Sequence, residues 1–135
     1  MKVAQMPELR IGNLTMSLPI VQGGMGVGVS LSGLASAVAD EGGIGVIAAA
    51  GIGMLEPDFN TNSREANKRA LRKEIRKAKE KTSGKIGVNI MVALSDYDAL
   101  SLVAVEEGAD IIFLGAGLPL KIEEKVLESS RQGKT

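Results

Sequence analysis

No cysteine, histidine or tryptophan occurs in this chain, and its only aromatic residues are Phe59, Tyr97 and Phe113. Without cysteine there is no disulfide framework and no thiolate metal site. Without histidine the commonest metal ligand and the commonest general base are both missing. Three aromatics offer no row of stacking platforms for nucleic acid. No apolar run approaches the roughly 20 residues of a membrane helix, and the N-terminus lacks the continuous apolar stretch of a secretory signal. The chain is therefore expected to be soluble and cytoplasmic, with no metal and neither membrane nor nucleic acid as a partner. Neither sign of charge is in excess, with 16 Lys and Arg against 16 Asp and Glu. The stretch Arg64 to Lys81 is locally basic, but it reads as a solvated outer helix. Pairs such as Glu74 with Lys77 would contribute tenths of a kcal/mol there.

What is present is glycine and aliphatic residues, 17 glycines among 135 residues that are 44% apolar. That suffices for one domain, residues 1–135, with a real core. Pro19 to Gly26 (PIVQGGMG) is a short apolar strand that enters a glycine-rich turn, where the lack of Cβ lets backbone N–H groups approach a flat ring or an anion. Leu31, Leu34, Ala35, Val38 and Ala39 follow at the spacing of one buried helical face, and Gly42 is a stop. Ile44 to Ala48 reads as a strand covered on both sides. The pattern recurs with a helix from Ser63 to about Thr82 and a strand Ile86–Met91. Next come a helix starting at Ser95 with Leu102 in its stripe, ended by Gly108, and a strand Asp110–Leu114. A last helix has Pro119 in its first turn and Ile122, Val126 and Leu127 inward. Four βα units imply a parallel sheet with right-handed crossovers, either open or half of a (β/α)8 barrel, which needs about 250 residues. Ahead of them, Leu9 to Leu18 alternates around Gly12-Asn13 as a β-hairpin that could plug a barrel bottom or form an edge ribbon.

The C-terminal ends of parallel strands form the ligand face in both architectures. Here they carry Gln22, Gly23, Gly24, Met25 and Gly26, then Ala48 to Gly51, then Asn89 with Met91, then Gly115, Ala116 and Gly117. Small residues leave room for a flat ligand. The Asn89 amide can both donate and accept, as a flavin edge requires, or it can serve neighbouring backbone. Met25 could cover a ring or fill core. The first turn lacks the G-x-G-x-x-G spacing of a dinucleotide site, and Gly133-Lys134-Thr135 resembles a P-loop end only by coincidence.

PIVQGGMG, the stretch Glu41 to Ile47, GVNIM at Gly87–Met91 and GAGLP at Gly115–Pro119 stand in the order and approximate spacing of the nitronate monooxygenase family. The FMN-dependent enoyl-acyl-carrier-protein reductases share this pattern. The resemblance spans nearly the whole chain and implies the first half of an FMN-binding TIM barrel. It implies that Gly23, Gly24, Met25 and Gly26 lie against the isoalloxazine ring, that Asn89 bonds the flavin or its ribityl chain, and that Gly115, Ala116 and Gly117 border the pocket. The implied substrate is a small molecule, an alkyl nitronate oxidised with oxygen or an enoyl thioester reduced at the expense of NAD(P)H. A third reading is a non-catalytic α/β binding or assembly module. The family's catalytic histidine and phosphate loops belong to the barrel's second half, so no catalytic residue is assigned here. An N-terminal half with open sheet edges is expected to be inactive alone and to self-associate.

Overall fold

The computed structural model describes residues 6–135, so the first five positions of the expected domain lie outside the described residues. Leu9–Ile11 (β1) and Leu14–Met16 (β2) pair antiparallel, with Ile11 opposite Leu14 and Gly12 in the left-handed region at φ +55°. There follow α1 (Ser32–Asp40), β3 (Ile44–Ala48), α2 (Phe59–Lys81), β4 (Lys85–Met91), α3 (Tyr97–Glu106), β5 (Ile111–Gly115) and α4 (Glu124–Arg131). Strands β3, β4 and β5 form a parallel sheet in that order, with Ala48 beside Asn89 and Asn89 beside Phe113. The alternation of βα units is as the sequence predicts.

The strand expected at Pro19–Gln22 is reduced to a single parallel bridge between Val21 and Ile44. Ile44 N–H donates to Ile20 O at 2.9 Å and Gln22 N–H to Ile44 O at 3.0 Å, and then the backbone leaves the sheet. Pro19 has no N–H to extend the ladder backwards, and beyond Gln22 a side chain takes over the partner groups of β3.

The sheet has two packed faces. On the helix side Ile47, Ile86, Val88 and Ile90 join Ala35, Ala39, Leu71, Ile75, Ala78, Leu100, Val103 and Ala104 in one core. On the other side Ile44, Val46 and Ile111 pack with Met16 of the hairpin, flanked by Leu9, Leu14 and Phe113. Ile44 and Ile111 open their strands, so the hairpin closes the N-terminal end of this face, the plug expected of a barrel bottom. A second core on the face away from the helices is what a barrel interior supplies and a bare outer surface would not.

Several local expectations shift for visible reasons. Of the expected face of α1, Ala35 and Ala39 are buried, Leu31 and Val38 are half-buried and Leu34 is 45% exposed, while Ser32 and Ser36 are buried beside them. A Cβ on Gly45 would lie 1.8 Å from Ala35 O, so the helix rides directly on β3 and only small residues fit the contact. Helix α3 starts at Tyr97 and not at Ser95; Asp96 precedes it without capping it, because Asn67 Nδ2 donates to the Asp96 carboxylate at 2.9 Å. Leu100 is fully buried there while Leu102 is half-buried. Pro119 stays in the loop before α4, which buries Val126 and Ser129 with Leu127 only half-buried. In α2 the non-helical Asn62 breaks the first turn, so the regular helix runs from Ser63. The stops hold: Gly42 and Gly108 take positive φ after α1 and α3. Gly133 does the same after α4, where Lys134 N–H bonds back to Ser129 O at 3.0 Å, so Gly133-Lys134-Thr135 is a helix C-cap and no phosphate loop.

Candidate functional site

The inner face of the sheet grows smaller toward the C-terminal ends of the strands. Its lower positions are Ile44, Val46, Ile111 and Phe113; its upper ones are Ala48, Asn89 and Gly115, with the partly exposed Met91 beside Gly115 at the rim. Gly87 has no side chain, and the Phe113 ring occupies the space above it, where a Cβ would come 2.7 Å from Cε2. Phe113 thus makes a floor beneath Asn89.

Asn89 is half-buried, and its Nδ2 donates a long bond to Phe113 O at 3.4 Å. Its Oδ1 accepts no hydrogen bond among the described residues. The glycine loop crosses above it: a Cβ on Gly24 would lie 2.7 Å from Asn89 Cβ and 3.2 Å from Oδ1. Gly26 sits against the loop after β3, where a Cβ would come 3.0 Å from Ala50 O. On the other side of Asn89, a Cβ on Gly115 would be 4.0 Å from Nδ2. Gly24, Asn89 and Gly115 therefore meet at one point of the strand ends, with Gly26 one loop away. Gly23 faces open space, and Met25 is 60% exposed with its backbone fixed and its side chain free. Ala116 is held at φ +53°, and Gly117, at φ +144°, turns toward Val92 rather than toward Asn89.

Two residues that organise this mouth have no role in the sequence reading, although Gln22 stands there at the end of the first strand. Ser30, 1% exposed, accepts hydrogen bonds on Oγ from Met25 N–H at 3.0 Å and Gln22 Nε2 at 3.1 Å. Gln22 also exchanges two bonds with the Val46 backbone. Their signal was faint: a glutamine before a glycine run and a serine eight residues on, both ordinary loop residues. A third feature concerns charge. The first N–H of α1, on Ser32, donates to Glu74 Oε2 of α2 at 2.9 Å. Burial pushes the Glu74 carboxyl up, but the bonds from Ser32 and Lys77 outweigh it and hold it below the usual carboxylate range. A carboxylate already occupies the positive end of α1, so this helix offers no phosphate seat.

The residues present fit the ring of a flavin better than its phosphate. Gly24 and Gly26 pack so closely against Asn89 and Ala50 that only a residue without a Cβ lets the loop cross there. The N–H groups of Gly23, Gly24, Gly26, Val27 and Gly28 have no acceptor among the described residues. Asn89 Oδ1 adds an acceptor beside them. Around the mouth the loops present Met25, Val27, Met54, Leu55, Leu118 and Leu120, all exposed, as an apolar rim.

Elsewhere, a groove of about 480 Å³ runs between the hairpin turn, β5 and α4, lined by Ile111, Ile112, Leu114, Ile122, Val126 and Leu127. It lies along the side of β5 that has no partner strand among the described residues, and Asn13, Asp110, Ser130, Arg131 and Thr135 also line it. The basic stretch of α2 is largely neutralised. Arg64 pairs with Asp98, Arg69 with Glu56 and Asp58, Arg72 with Glu106 and Glu107, Arg76 with Glu107, and Lys77 with Glu74. Among the described residues no helix is long and apolar enough to cross a membrane, and no group of three acidic or histidine side chains could hold a metal.

A family model described as nitronate monooxygenase matches residues 8–124. Among solved structures, FabK from Thermotoga maritima is 32% identical with a TM-score of 0.64 over 87% of this chain and 32% of its own. Its M276A mutant matches equally, at 32% identity, a TM-score of 0.63, and 87% and 34% of the two chains. Nitroalkane oxidase from Streptomyces ansochromogenes, 22% identical, matches with a TM-score of 0.65 over 89% of this chain and 39% of its own, which is a likeness of fold. No curated protein matches. The chain thus spans about a third of the length of these structures.

Proposed function

The chain belongs to the nitronate monooxygenase family, an oxidoreductase family, and on that footing we propose that it supplies the ring-facing wall of an FMN-dependent enzyme that oxidises alkyl nitronates with oxygen. The observation that carries the proposal is the convergence of Gly24 on Asn89, a contact that excludes any side chain at position 24 and leaves an unpartnered amide oxygen beside unpaired backbone N–H groups. When bound, FMN would supply the redox chemistry, which is a property of the cofactor. The chain's residues bind and orient. The backbone of Gly23, Gly24, Met25 and Gly26 would lie along the ring. Asn89 would present one donor and one acceptor to its polar edge or to the ribityl chain. Gly115, Ala116 and Gly117 would border the pocket from β5, and the apolar rim would exclude water.

A second reading, FMN-dependent reduction of an enoyl thioester, is favoured by the higher identity to FabK, an enoyl-acyl-carrier-protein reductase, 32% against 22% for the nitroalkane oxidase. The parent protein decides between them. Oxygen consumption with propionate 3-nitronate and no turnover of NADH with an enoyl thioester supports the first; the reverse pattern replaces it with the second. A protein that binds no flavin and turns over neither substrate leaves only the binding-module reading.

A further inference from the structure

The backbone between Ile20 and Gln22 runs as a strand beside β3 for one bridge only, and its hydrogen bonds say what should come next. After Gln22 N–H to Ile44 O, a parallel ladder would continue with Val46 N–H to the carbonyl of residue 22 and the N–H of residue 24 to Val46 O. Neither bond is made. Instead Val46 N–H donates to Gln22 Oε1 at 3.0 Å, and Gln22 Nε2 donates to Val46 O at 3.1 Å. Val46 is 1% exposed, so both its backbone groups need partners. We propose that Gln22 is a positioning residue whose side-chain amide replaces a peptide group of the missing strand, so that the glycine loop leaves the sheet with its N–H groups turned over to a ligand at the mouth.

The second hydrogen of the same amide reaches Ser30 Oγ, which also receives Met25 N–H. Ser30 N–H returns a bond to Met25 O at 2.9 Å, and Ser30 O accepts from Ala48 N–H at 2.9 Å. The loop is thereby pinned at Gln22, at Met25 and at Ser30, while Gly23, Gly24, Gly26 and Gly28 keep their N–H groups unpaired between the pins. Only a side chain with glutamine's reach, two donor hydrogens and an acceptor completes the pattern. Asparagine is a methylene short, and an ionised glutamate would set an acceptor against Val46 O.

The ligand's identity rests on the flavin reading above; the ladder does not, and two measurements on the 135-residue chain separate them. Amide exchange without ligand reads the ladder, and amide shifts on adding FMN read the ligand. In Gln22→Ala we expect Val46 N–H to exchange about tenfold faster, the loss of one net hydrogen bond, and the FMN shifts at residues 23–28 to weaken by a similar factor. Should Gln22→Ala not fold, Gln22→Glu answers the same question. Its carboxyl can donate to Val46 O only when protonated, so Val46 protection and FMN affinity should rise as pH falls through its titration. Val46 and the Ser30 hydroxyl do not titrate in this range, and the unsubstituted chain, with the same Glu74 nearby, is the control. Unchanged Val46 exchange in Gln22→Ala, or a flat pH response in Gln22→Glu, overturns the proposal. Gln22-dependent protection with no FMN shifts in the unsubstituted chain overturns the flavin reading and upholds the ladder.

Discussion

At the scale of single residues, the mouth separates what the fold needs from what a ligand needs. Asn89 makes one long bond to Phe113 O, so Asn89→Ala should change stability by less than about 1 kcal/mol. It should weaken FMN binding about tenfold, measured by flavin fluorescence against a denaturant curve on the same sample. Gly24→Ala behaves differently, because its Cβ would stand 2.7 Å from Asn89 Cβ and something must move. It should cost about 1–3 kcal/mol and also expel the ring. Gly24 and Asn89 were legible from sequence as small or polar residues at strand ends. Ser30 and Gln22 were not, since their importance comes from a backbone that abandons its ladder, a tertiary event that no local pattern announces.

Among elements, charge ties the helices to each other. Glu107, at the end of α3, receives Arg76 Nε at 2.7 Å and Arg72 Nε at 2.8 Å from α2. The Arg76 bond first, and Arg72 next, hold its carboxyl below the ordinary value of 4.5. A carboxylate depressed in the folded state adds stability that is complete above its unfolded pKa and is lost as pH falls through the folded one. Stability should therefore decline below about pH 4.5, and Glu107→Gln should flatten that acid limb in urea unfolding series at several pH values. Glu74→Gln removes the charge at the N-terminus of α1 and should cost roughly 0.5–1 kcal/mol, read in the same way. The order of elements, the hairpin and the glycine stops were visible in the sequence because each has a local cause: periodicity, a Gly12-Asn13 turn, a left-handed cap. The roll of Leu34 outward and the late start of α3 were not, for they follow from Gly45 meeting Ala35 O and from Asn67 engaging Asp96.

Taken whole, the molecule is a stack of βα units with one strand reduced to a bridge and the other edge, β5, without a partner strand among the described residues and bordered by a groove. An unpaired edge of this kind invites strand addition. Self-association that reverses on about a hundredfold dilution is the expected outcome in sedimentation velocity, and an unchanging monomer contradicts it. At the mouth, the residues after the first strand segment and at the ends of β4 and β5 are proposed to form one flavin-facing wall. Its most direct test is a titration of the chain with FMN followed by amide NMR. The account predicts shifts confined to Gly23–Gly28, the Asn89 side-chain amide and Gly115–Gly117. No shifts at these positions, or shifts only along the basic face of α2, would contradict it.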